Sequence, residues 1–162
     1  MPRKPQPEAP RPGKIVSGGQ TGVDRGALDA AIALGIPHGG WCPRGRLAED
    51  GPIPDRYRLR QTDSPDYPVR TERNVRDSDA TLILCRGVPT GGTALTRRLA
   101  AQHGRPCLVV DLAAPPDLPA IRRWLAEHAP TVLNVAGPRE SQSPGIAEQA
   151  ASLLARLFGA VA

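Results

Sequence analysis

Three short segments concentrate the residues able to grip an anion. The first is Gly18-Gly19-Gln20-Thr21-Gly22, followed by Asp24 and Arg25. The second is Arg86-Gly87, followed by Pro89-Thr90-Gly91-Gly92-Thr93. The third is Gly137-Pro138-Arg139, with Asn134 just upstream. Glycine lets backbone N–H groups approach a ligand with no side chain in the way. A helix that starts directly afterwards presents unpaired N–H groups and a partial positive charge, which together make an anion site. Thr21 and Thr93 can add hydroxyl donors, and Arg25, Arg86 and Arg139 can add charge-assisted bonds to phosphate. The turn "GGQTG" is neither G-x-G-x-x-G nor a Walker loop with its Lys-Ser/Thr. The same glycines would also serve if helices merely packed close to strands. Asp24 falls in the first turn of a helix, where the dipole stabilises a carboxylate. The alternative is that it meets a ligand hydroxyl or orients Arg25.

A second group of candidates lies in "GGWCPRGRLAEDGPIPDRY". Trp41 can stack on a flat heterocycle, Arg44 and Arg46 can meet phosphates, and Glu49 and Asp50 can accept bonds from ring N–H groups. The other reading is a solvated loop with Trp41 tucked onto the core. In "RTERNVRDSD", Arg70, Arg73 and Asp77 fall near one helical face, and Glu72 and Arg76 have i, i+4 spacing. Ion pairs should lace this helix, with Arg76 assigned to the candidate site. Metal ligation and nucleophilic catalysis find no support. His38, His103 and His128 are scattered, and His38 with Cys42 supplies only two ligands. Cys85 and Cys107 sit in apolar runs, and no Ser-His-Asp or Cys-His constellation stands out. No catalytic residue and no protein-ligated metal is expected.

These residues need elements to position them. "KIVSG" reads as a short strand, and Val23 to Leu34 as a helix stopped at Gly35 ahead of Pro37. "IPHGGWC" holds a second short strand. Pro43 to about Tyr67 is a long stretch dense in Pro, Gly, Arg and Asp, of the kind that forms lids or binding loops, with "YRLRQT" as a strand inside it. Val69–Asp77 reads as a polar helix, "ATLILC" as a buried strand, Thr93–His103 as a helix, "RPCLVVDL" as a strand, Leu118–His128 as a helix and "TVLNVAG" as a strand. Ser143 should cap a last helix with Pro144 at its first position. Strands in uninterrupted apolar runs, alternating with helices, predict an open parallel sheet with helices on both faces, a three-layer α/β/α architecture. Ligands bind at the carboxyl ends of such strands.

The totals bound the rest. The chain of 162 residues suffices for one domain with a core, and at 3% aromatics that core must be aliphatic. Residues 1–13, "MPRKPQPEAPRPG", cannot bury a face and are expected to be a disordered Pro-rich tail, with one ligand-binding domain over 14–162. Net charge is +5, of which Arg3, Lys4 and Arg11 against Glu8 place +2 in the tail. Without a basic run interleaved with aromatics, nucleic-acid binding is poorly supported, and the balance suits a small anionic ligand. No apolar run approaches the roughly 20 residues of a membrane span. The three widely spaced cysteines are no disulfide framework, which predicts a reducing, cytoplasmic setting.

Taken in order, "SGGQTGVDRGALDAA", "PHGGWCPRGRLAEDGPIP", "RNVRDSDATLIL", "TGGTALT" and "VLNVAGPRES" resemble the molybdenum cofactor carrier family over nearly the whole body. The resemblance implies a Rossmann-like fold, a homo-oligomer (dimer or tetramer), and storage, protection or delivery of molybdenum cofactor, with molybdoenzymes as acceptors. That cofactor, molybdopterin with its metal, is a phosphorylated pterin whose own dithiolene sulfurs hold the molybdenum. The wider group includes the lysine decarboxylase-like, cytokinin-activating phosphoribohydrolases. Their motif P-G-G-x-G-T-x-x-E places a glutamate where this chain has Thr96, in the stretch Pro89–Thr96. A threonine hydroxyl is no carboxylate base near neutral pH. The expected function is therefore binding without chemistry, with Gly18–Gly22 and Gly91–Thr93 jointly cradling a phosphate. Two alternatives stay open. One is a nucleotide hydrolase, phosphoribohydrolase-like, that keeps its carboxylate at Asp24, Glu49 or Asp50. The other is a domain that binds a mononucleotide as a sensor.

Overall fold

The apolar runs form the centre of a parallel sheet because buried strands covered on both faces need no polar alternation. The computed structural model describes residues 9–159. In chain order the elements are β1 (Lys14–Val16), α1 (Val23–Leu34), β2 (His38–Gly39), β3 (Trp41–Cys42), β4 (Leu47–Ala48), β5 (Gly51–Pro52), β6 (Arg60–Gln61), α2 (Tyr67–Arg76), β7 (Ala80–Cys85), α3 (Gly91–Gln102), β8 (Cys107–Asp111), α4 (Leu118–His128), β9 (Val132–Ala136) and α5 (Ile146–Phe158). All six residues of β7 are buried.

The main sheet has five parallel strands in the order β2-β1-β9-β7-β8. Carrying β9 to the front of the chain would turn this into the order 3-2-1-4-5 of the Rossmann fold. The chain thus forms a three-layer α/β/α Rossmann-like domain whose first strand comes last. The reversal of strand order lies between β9 and β7, beside β1. There the carboxyl ends of the strands open into a crevice.

Strand side chains alternate between two unequal cores. Ile15, Leu82, Leu84, Leu133 and Val135 face α1, α4 and α5, where Ala27, Ala31, Ile121, Leu125, Leu153, Leu154 and Leu157 complete the main core. Fully burying one such leucine contributes about 1.5–3 kcal/mol. The opposite face packs a smaller cluster, with Val75 of α2 against Leu99 and Ala100 of α3. That face also buries polar groups, among them Asn134, whose Nδ2 donates to Thr81 Oγ1 on the neighbouring strand at 3.3 Å.

Four expectations change in detail. The long loop is folded: β3 pairs with β6, β4 pairs with β5, and Leu28, Cys42, Ile53 and a fully buried Tyr57 form their own small core. Arg46 sits inside that loop, donating to the carbonyls of Ile53, Pro54, Tyr57 and Leu59. The last helix begins at Ile146 with Gly145 ahead of it. In place of a Ser143 cap, the Glu140 carboxylate accepts the N–H groups of Gly145 (2.6 Å) and Ala147 (3.0 Å). In α2, Glu72 pairs with His103 and Arg76 with Asp77, so the Glu72–Arg76 pair is not made. Of the expected tail, residues 1–8 lie outside the described residues. Beyond them, Ala9 is buried in the main core and Arg11 Nε donates to Phe158 O at 2.9 Å, so the body begins before Lys14. Among the described residues no helix is long and apolar enough to cross a membrane.

Candidate functional site

A cleft of about 380 Å³ opens at the carboxyl edge of the sheet, bounded by the first turns of α2 and α3 and by the segment after β9. In right-handed crossovers helices run back against the strands, so helix N-termini gather at the strands' carboxyl ends. The α3 terminus is bare. Thr90 provides no side-chain cap, and a Cβ built on Gly91 or Gly92 would meet nothing within 4 Å. Gly91 and Gly92 are exposed and their N–H groups make no backbone hydrogen bond among the described residues, which leaves the positive end of the helix dipole open. Arg98 and Arg139 line the same cleft. Arg139 lies 5.6 Å from the Tyr67 ring centroid, and its Nε is 3.9 Å from Glu49. Such a set binds a small anion.

The floor is made by Gln20, Asp24 and Arg70. Gln20 is 5% exposed. Its Oε1 accepts the N–H of Thr21 (3.0 Å) and of Glu49 (2.9 Å), leaving Nε2 buried without a partner. Two backbone donors can face only the amide oxygen, which settles the amide's orientation. Arg70 donates from Nη1 to Thr71 Oγ1 at 2.6 Å, while its buried Nε has no partner. Asp24 accepts the Gln20 N–H at 3.2 Å. Burial pushes its carboxyl above the usual range, an effect that Arg70 and neighbouring N–H donors oppose in part.

The structure gathers some of the sequence-selected residues here and disperses others. Gln20, Asp24, Gly91, Gly92, Thr93, Gly137 and Arg139 line the cleft. Of the Gly18–Gly22 turn only Gln20 does so. Gly18 lies under Arg70, and Gly19 lies against Leu59 and Ile53. Gly22 has φ 83°, and a Cβ there would stand 2.3 Å from Pro138 O. It is a close-packing glycine between α1 and the segment after β9. Thr21 donates to Glu49, whose second oxygen accepts from Ser141 Oγ at 2.5 Å. The Ser141 and Thr21 hydroxyls hold Glu49 below the usual carboxylate range. Arg25 is clamped by Asp50 at 2.5 and 2.7 Å and by Gly19 O, so Asp24 does not orient it. Trp41 lies in a separate depression with Lys14, Arg60 and Asp77, its Nε1 donating to Asp77 at 2.9 Å. Arg44 bonds to Asp63 O, Arg76 sits at the far end of α2, and Asn134 is a buried cross-strand link.

Sequence reasoning assigned Arg76 where the cleft takes Arg70, and missed Arg98 and Tyr67. A signal existed for each. Arg70 and Tyr67 belong to the first turns of α2, the end that faces the carboxyl edge, whereas Arg76 stands about 9 Å further along the axis. Gly91, Leu95 and Arg98 share one face of α3 at i, i+4, i+7 spacing. Among the described residues no group of three or more His, Cys, Asp or Glu side chains comes together as a metal site. The three cysteines are free.

The model of the circularly permutated YpsA SLOG family matches residues 15–158. A solved structure from Syntrophus aciditrophicus SB, named "Putative molybdenum carrier protein", is 48% identical and superposes with a TM-score of 0.88. The match covers 94% of this chain and 98% of that one. No curated protein matches.

Proposed function

From the premise that the chain belongs to the circularly permutated YpsA SLOG family, we propose that it binds a phosphorylated heterocycle in this cleft and holds it without converting it. The observation that carries the reading is the uncapped α3 terminus, where Gly91 and Gly92 leave two N–H groups open beside Arg98 and Arg139. The phosphoryl group stands there. A volume of about 380 Å³ suits a ligand of one heterocycle and one phosphate. The cargo is molybdenum cofactor, the class implied by the sequence resemblance and by the name of the Syntrophus structure. The donors of the cleft fit a pterin phosphate. The pterin's own sulfurs keep the metal, so the protein need not ligate it. As a carrier, the chain would act as a homo-oligomer that passes this cargo to molybdoenzymes.

Two features support holding over turnover. Thr96 occupies the place of the phosphoribohydrolase glutamate, and its Oγ1 donates to Gly92 O at 3.0 Å. Asp24, the one carboxyl side chain lining the cleft among the described residues, uses an oxygen to accept the Gln20 N–H. A buried carboxyl held above its usual range is also what a general acid needs. That single feature favours a second reading, a nucleotide hydrolase using Asp24. Native mass spectrometry of protein purified anaerobically from its own host, with molybdenum quantified in the same sample, separates the two. A bound pterin mass with stoichiometric molybdenum supports the carrier. A bound mononucleotide without metal, released as base and sugar phosphate on incubation, supports the hydrolase.

A further inference from the structure

The polar groups of the cleft divide into two ends of different charge. The α3 end carries two bare N–H groups with Arg98 and Arg139. The floor carries Gln20, Asp24 and Arg70, whose guanidinium acts on the Asp24 carboxyl. Gln20 Nε2 and Arg70 Nε are the two buried side-chain polar atoms without a partner among the described residues, and both belong to this floor. A buried donor left unpaired costs about 1–3 kcal/mol, so two in one place mark a position built for an acceptor. A second oxyanion there would be repelled by a charged Asp24 carboxylate more strongly than a neutral carbonyl oxygen would be.

We propose that Gln20 Nε2 and Arg70 Nε form a subsite that takes a neutral oxo group of the heterocycle, so that the chain selects oxo-substituted over amino-substituted rings. The proposal rests on the binding reading above and adds an orientation to it. The phosphoryl group points to α3, and the oxo edge of the ring points to the floor. Gln20 is then a specificity-determining residue. An exocyclic amine at the same position would put donor against donor and leave both floor groups unpaired. Pterins and guanine carry such an oxo group, while adenine carries an amine.

The test is calorimetric titration of the full chain with GMP, AMP, inorganic phosphate and pyrophosphate. GMP should bind about 10- to 100-fold more tightly than AMP, the worth of one or two paired buried donors. Gln20→Met removes Nε2 together with the Oε1 that accepts the Thr21 and Glu49 N–H groups, and Arg70→Lys removes Nε while keeping the charge; both keep side-chain bulk. Each should reduce the GMP-to-AMP ratio below about threefold, with phosphate affinity changed less than about threefold, because phosphate sits at the other end. Circular dichroism reports folding, and either variant alone decides the question if the other does not fold. Equal affinity for GMP and AMP overturns the proposal, as does a ratio that survives in both variants. Pyrophosphate binding far more tightly than phosphate, with the gain lost in Gln20→Met, also overturns it by assigning the floor to an oxyanion. If phosphate and AMP bind but GMP gains nothing, only this inference fails. If none of the four binds, the binding reading fails and takes this one with it.

Discussion

Gly22 and Gly92 stand at the starts of two helices, and replacing each by alanine should separate packing from binding. Gly22 has φ 83° and ψ −132°, a region open in practice to glycine alone. A Cβ there would lie 2.3 Å from Pro138 O and 2.7 Å from Glu140 N, both backbone atoms that cannot swing aside. The dihedral strain costs about 1–3 kcal/mol. Displacing the β9–α5 segment adds about 1–3 kcal/mol. Gly22→Ala should therefore lose about 2–6 kcal/mol out of a typical total of about 5–15 kcal/mol. At about 2–4 °C per kcal/mol for a chain of this length, Tm should fall by about 4–24 °C. Gly92 is the opposite case. It is absent from the positive-φ glycines, and its added Cβ would meet nothing. Gly92→Ala should leave Tm unchanged or raise it by the few degrees that up to about 1 kcal/mol of helix preference supplies. Its methyl group would nevertheless stand over the bare N–H groups, so affinity for phosphate and GMP should drop about tenfold or more. Scanning calorimetry and titration of both variants check this. A Gly22→Ala protein melting within about 2 °C of the parent would refute the packing account. A Gly92→Ala protein with parental affinity would remove α3 from the site.

Other outcomes follow from the same geometry. Asp24 has a raised folded-state pKa, so its burial stabilises the protonated form and penalises the charged one as pH rises through that value. Asp24→Asn should therefore be more stable than the parent at pH 8, with the gain shrinking as pH falls; a pH-independent difference in urea midpoints would contradict this. Asp50 is held below its usual range by the Arg25 hydrogen bonds, so its contribution is present above about pH 4 and lost as pH falls through the lower folded value. Because the Asp50 side chain is half exposed, Asp50→Asn should cost no more than about 1 kcal/mol at pH 7 and nothing near pH 2, again read from urea midpoints. Trp41→Phe should leave GMP affinity within about twofold of the parent, since Trp41 lies in a different depression. A tenfold loss in titration would mean that the Trp41 face belongs to the site.

The sequence by itself determined the architecture. Uninterrupted apolar runs such as Ala80–Cys85 have only one way to bury both faces, a covered parallel sheet, and the glycine turns follow those runs. It also placed the Gly91-Gly92 pair just ahead of the helix read from Thr93, whereas the absence of a capping bond from Thr90 is a tertiary outcome. Only the tertiary structure decided which residues share the cleft. Helical spacing makes Arg70, Arg73 and Arg76 equivalent in kind, but α2 delivers its first turn to the carboxyl edge and its last turn away from it. Arg25 looks as free as Arg139 in the chain, yet Asp50, 25 residues away, takes both of its terminal nitrogens. Gly22 reads as a phosphate glycine until Pro138, on the last strand's exit, arrives against it. The reason is common to all three. Periodicity and turn chemistry act over a few residues, whereas competition for partners and close backbone approach join segments far apart in the chain. Those depend on the crossovers that bring β9 between β1 and β7.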